Sequence, residues 1–195
     1  MVLTLIHGRF PIAVLGLLFP AIALAHQATG SGFLAGITHP VLGLDHLLAM
    51  LCVGIISAQL GGRVIWLVPT TFVSVMVIGG ILGMFDVTFP AVEIGIAFSV
   101  VVLGATIAFA RKMPISIPMV MVSIFALFHG YAHGMEMPTI ADPFLYALGF
   151  VVGTALIHLT GVLIGYLAMR RTRTAEGLRF VGAVIAGIGL QLLIG

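Results

Sequence analysis

Two short runs in this chain bring together side chains capable of metal chemistry. They are His39-Pro40-Val41-Leu42-Gly43-Leu44-Asp45-His46 and Phe128-His129-Gly130-Tyr131-Ala132-His133-Gly134-Met135-Glu136, both set in otherwise apolar sequence. Ionisable groups are costly in a hydrocarbon environment, so six of them in two stretches require partners. Imidazole and carboxylate together suit a borderline divalent transition metal. On a helix, His129 and His133 differ by about 40° and Glu136 returns to within about 20° of His129, which puts all three on one face. Histidines four residues apart can chelate one ion. Gly130 and Gly134 would let a second helix approach closely beside that face. In the other run, Pro40 disfavours helical backbone at His39, so an extended segment is predicted there, bending back over the next helix. Asp45 and His46 then fall in that helix's first turns, where the N-terminal dipole favours a carboxylate. Asp45 is a ligand or orients a histidine ring nitrogen.

The surrounding elements are membrane helices. Of 195 residues, 61% are hydrophobic and only 7% charged, which excludes an ordinary soluble domain. The predicted fold is all-α, a polytopic transmembrane bundle of six spans after an N-terminal signal peptide. Arg9, the apolar stretch 11–24 and Ala23-Leu24-Ala25 fit a signal over residues 1–25. Cleavage there would leave residues 26–195 as a single domain starting at His26; an uncleaved first span is the rival reading. Apolar runs place the spans near 40–59, 64–85, 90–110, 114–136, 143–169 and 177–195.

With the mature N-terminus outside, Arg63, Arg111, Lys112, Arg170, Arg171, Arg173 and Arg179 all fall in or beside cytoplasmic loops, as does Arg9. Asp86 and Asp142 fall outside. This satisfies the positive-inside rule and predicts periplasmic N- and C-termini in a bacterial inner membrane. His39, Asp45, His46, Glu93, His129, His133 and Glu136 then reach the same outer depth from three helices. All are candidate metal ligands, and His26 would add a terminal amine and imidazole.

The remaining polar residues read more plainly. His158 fits a helix–helix hydrogen bond or a later stop for an ion or proton, Phe72 fits packing, and Asp86, Asp142 and Glu176 fit loop charges. Cys52, the only cysteine, reads as a buried apolar residue and rules out an internal disulfide or a thiolate-rich site. No phosphate-binding Gly-rich loop occurs, so ATP hydrolysis by that route is excluded. The lack of a basic run argues against nucleic acid as a partner.

The two motifs, His39-Pro-x-x-Gly43-x-Asp45-His46 and Phe128-His129-Gly-x-Ala-His133-Gly-x-Glu136, resemble those of the HupE/UreJ family across essentially the whole mature chain. The resemblance implies a nickel/cobalt permease, not an enzyme, associated with hydrogenase or urease maturation. It also implicates a glutamate in the third span, matched by Glu93, and a phenylalanine in the second, matched by Phe72. The residues themselves suit Ni²⁺, Co²⁺ or Zn²⁺ as bound or transported ion, with no resident cofactor. With no ATP motif, import would be passive or secondary. A membrane potential helps each charge by about 2.3 kcal/mol per 100 mV, roughly 4–5 kcal/mol for a divalent ion. The competing reading from the same ligands is an intramembrane zinc-dependent hydrolase with Glu136 or Glu93 as base. Haem anchoring fits poorly, because His129 and His133 share a face.

Overall fold

The computed structural model describes residues 32–139 and 141–195. The expected signal segment 1–25 and His26 lie outside the described residues. Among the described residues, seven helices follow in order: α1 Gly32–Leu42, α2 Leu44–Leu60, α3 Val64–Met84, α4 Val92–Phe109, α5 Ser116–Met135, α6 Pro143–Ala168 and α7 Thr172–Ile194. Helices α3 to α7 are each long and apolar enough to cross a membrane. α1 and α2, bent by 85°, make a sixth candidate when taken as one broken span. Large apolar side chains such as Trp66, Phe98, Leu163 and Phe180 point outward, as expected of helices that face lipid.

Close packing comes from small residues. A Cβ on Gly130 would strike the Met76 carbonyl, and one on Gly134 the Gly80 carbonyl, so the α5 face beside the histidines is occupied by α3. Gly79 and Gly83 reciprocate from α3, against Leu127 and Tyr131. The same device joins α4 to α7 through Gly104, Gly182 and Gly189, and α2 to α6 through Gly54, Gly161 and Gly165. In lipid, where apolar contact alone gives helices little reason to associate, such backbone proximity is what dispersion needs.

Two expectations require correction. His39 is helical, not extended, and Pro40 lies inside α1. The bias against helix before proline is overridden by packing: Gly36 of α1 meets the Tyr146 carbonyl, and Gly149 and Gly153 of α6 meet Phe33 and Ile37. The bend falls instead at Gly43, whose extended backbone (φ −92°, ψ 120°) separates α1 from α2. α7 also begins at Thr172, so Glu176 is a helix residue rather than a loop charge. Two turns into this helix, Arg179 Nε donates to the Ala108 carbonyl of α4 at 2.8 Å. Asp142, by contrast, caps α6 by accepting from the Leu145 amide at 2.8 Å.

Candidate metal centre

The bend at Gly43 and the end of α5 bring the two motifs together. His39 Nε2 donates to Glu136 Oε2 at 3.0 Å, across 97 residues of sequence. His133 Nδ1 lies 3.9 Å from the same oxygen. One ligand atom from each of His39, His133 and Glu136 lies within 4.8 Å of the others. Metal–nitrogen bonds of about 2.0–2.1 Å put tetrahedral ligands roughly 3.4 Å apart, so a small contraction would complete the set. Glu136, just past the C-terminus of α5, is about half exposed (53%), whereas His133 is buried (4%). The hydrogen bond from His39 holds the Glu136 carboxyl below its ordinary value, against the opposing effect of partial burial.

Deeper in, the imidazoles form a continuous group. His133 contacts His39 with ring centroids 4.9 Å apart and His46 at 4.2 Å; His46 contacts His129 at 4.7 Å. Asp45 Oδ1 accepts from both the backbone amide and Nδ1–H of His46, each at 2.8 Å. That bond puts the proton on Nδ1 and leaves the Nε2 lone pair free. No Cβ would fit easily at Gly43, where it would lie 2.9 Å from both Asp45 Oδ1 and His46 Nδ1.

Sequence reasoning missed Ser99, which fixes the third ring. Its hydroxyl donates to the Ile96 carbonyl at 2.6 Å and lies 2.9 Å from His129 Nε2. A hydroxyl has one proton, so Nε2–H of His129 is the donor and Nδ1 carries the lone pair. Among the described residues, His46 Nε2, His129 Nδ1 and both nitrogens of His133 are buried without a hydrogen-bond partner. Buried polar atoms in native proteins nearly always have partners, so this concentration points to a ligand. Phe150 and Tyr146 of α6 were also missed; they pack on His133 and His39 with centroids 4.3 Å and 5.8 Å away.

Glu93 stands apart from this group. It is exposed in the first turn of α4 and lines, with Asp45, an open cavity of about 150 Å³ whose other lining residues are Ile94, Ala97, Leu192 and Leu193. It makes no ion pair or hydrogen bond among the described residues. Phe72 is fully buried between His129, 5.8 Å away, and His158, 5.1 Å away.

Residues 13–192 match the family described as HupE / UreJ protein. The chain belongs to the HupE/UreJ family. It is similar to Protein HupE of Rhizobium leguminosarum bv. viciae, at 39% identity over 191 residues that cover 97% of this chain and 99% of the relative. No solved structure matches the chain. In this HupE/UreJ protein the residues that carry the sequence motifs are also those gathered in space, with Gly43 and Gly134 supplying clearance rather than ligands.

Proposed function

We propose that this HupE/UreJ protein is a permease importing a divalent transition metal, Ni²⁺ or Co²⁺, across the bacterial inner membrane. The carrying observation is the convergence of His39, His133 and Glu136 ligand atoms from distant parts of the chain. In this reading the half-exposed Glu136 and His39 face the periplasm and capture the ion, which passes inward to His133, His46 and His129. Neutral imidazole with one or two carboxylates and no sulfur favours borderline ions over Mg²⁺, and geometry and supply must exclude Cu²⁺. The family's association with hydrogenase and urease names the consumer of the cargo, a metalloenzyme maturation system. Membrane potential, acting on two charges, suffices to drive entry without a nucleotide.

The test is uptake of radioactive nickel and cobalt by cells carrying wild type, His133→Ala or Asp45→Asn at matched membrane abundance. Accumulation above vector controls that both substitutions abolish supports the permease. Tight binding by the purified protein without accumulation of either metal would overturn it and favour the zinc hydrolase.

A further inference from the structure

A groove of about 270 Å³ runs between α3 and α6, with Trp66 and Pro69 on one wall and Leu159 and Val162 on the other. Trp66 and Leu159 are 63% and 47% exposed, so the groove faces outward, into lipid for helices that span a membrane. Its wall is apolar apart from Thr70, Ser74 and His158, and both ring nitrogens of His158 are buried. On α3 the lining extends from Ile65 to Ser74, about 13 Å of helix. One leaflet supplies half of the roughly 30 Å hydrocarbon core, so the groove is close to one acyl chain deep.

Its shallow end carries the groups that a headgroup needs. Arg63 immediately precedes α3, three residues before Trp66. On the other wall Tyr166 and Arg170 follow Val162 at steps of four, along one side of α6 and just beyond its end. Arg170 lies over the Tyr166 ring, 4.8 Å from the centroid, and its Nη2 donates to the Tyr166 hydroxyl at 3.1 Å. That fixes the guanidinium while leaving most of its five donors unused among the described residues. Trp and Tyr favour the membrane interface, where one end of each ring is wet and the other dry.

Charge selects the headgroup. Every described Arg and Lys lies toward this end of the bundle, with Glu176 as the one acid there. Among the described residues no ion pair joins an Arg or Lys to a carboxylate. Guanidinium pairs readily with phosphate, and a headgroup with net negative charge offsets the surplus where a zwitterionic one would not. We propose that this groove takes one acyl chain of an anionic phospholipid, with Arg63 and Arg170 holding the phosphate and Trp66 and Tyr166 flanking the glycerol. The site is independent of which ion the protein carries.

Trp66 is the only tryptophan in the chain and stands in the groove, so its fluorescence reports what lies there. The full chain is reconstituted in phosphatidylcholine vesicles containing rising fractions of phosphatidylglycerol, or of phosphatidylcholine, brominated near the top of one acyl chain. Bromine quenches tryptophan on contact. Brominated phosphatidylglycerol should quench at about tenfold lower mole fraction than brominated phosphatidylcholine. Arg63→Gln and Arg170→Gln should each reduce that preference about fivefold. Lys112→Gln removes the same charge from the α4–α5 loop, beside a different crevice with Gln59 and Thr106, and should leave it intact. Ala155→Phe, which fills the groove, should lower quenching by the anionic lipid toward the phosphatidylcholine level. Equal quenching of the wild type by the two lipids overturns the site, and that comparison stands even if a variant fails to fold. A loss in Lys112→Gln as large as in Arg170→Gln also overturns it, leaving only diffuse surface charge. Undiminished quenching in Ala155→Phe overturns the seating of the chain in the groove.

Discussion

Ser99→Ala isolates the positioning of one imidazole from everything else in the cluster. Ser99 and His129 are both fully buried, and the hydroxyl is the only hydrogen-bond partner of His129 Nε2 among the described residues. Removing it orphans a buried N–H, a loss of about 1–3 kcal/mol. The ring can recover part of this only by moving its proton to Nδ1, which removes the free lone pair there. Either route weakens metal binding, and deleting a group that orients a ligand typically costs 10–100-fold in affinity. The same range follows from about 1.4 kcal/mol per tenfold. Two assays on purified protein check this: equilibrium dialysis with Ni²⁺, and nitrogen NMR of histidine-labelled apoprotein, which reports the tautomer directly. Wild type should show His129 protonated on Nε2 and the variant a mixture. An unchanged tautomer with unchanged affinity would refute the assignment of Ser99 as the residue that presents Nδ1.

Three further outcomes follow from the geometry. Gly130→Ala should destabilise the bundle by about 1–3 kcal/mol, because the new methyl meets the Met76 carbonyl, which is backbone and cannot swing away; an unshifted melting temperature in detergent would count against the α3–α5 contact. Gly43→Ala, at a backbone conformation any L-residue adopts, should leave melting nearly unchanged yet weaken Ni²⁺ binding by displacing Asp45 and His46; equal losses of both would contradict it. Uptake should decline below about pH 6, as protons compete for the imidazoles. Glu136 does not set that limit. Its carboxyl is held below its ordinary value, so its contribution is present above the unfolded range and is lost only as pH falls through the still lower folded value. Uptake flat from about pH 7.5 to about pH 5 would refute imidazole ligation.

The middle spans were legible because long apolar runs bounded by Gly, Pro and charge leave few choices in lipid. α3, α4, α5 and α6 begin and end within two residues of where composition puts them. α1 was not, because Pro40 speaks locally against helix while the contacts with Tyr146 and Phe150 that favour it are about a hundred residues away. The start of α7 escaped for a related reason: Arg173, Glu176 and Arg179 lower its hydropathy, but helices extend past the apolar slab. Ser99 was hidden by ambiguity. Ser57, Thr106 and Ser123 also sit in apolar helices and simply bond back to a carbonyl four residues earlier. Only the position of His129 sets Ser99 apart.

The glycine contacts also decide which parts of this molecule can move as bodies. α3 and α5 are locked backbone to backbone, as are α1 and α2 with α6, and α4 with α7. His39, Asp45 and His46 belong to one such body and His129, His133 and Glu136 to another. The candidate ligands are therefore split across a seam, like two halves of a clamp. If the bodies part, the His39–Glu136 link and the imidazole contacts go together, and no single ligand needs to let go on its own. Release of an ion and opening of the seam would then be one event, and a cross-link between α2 and α5 would hold the cargo in place.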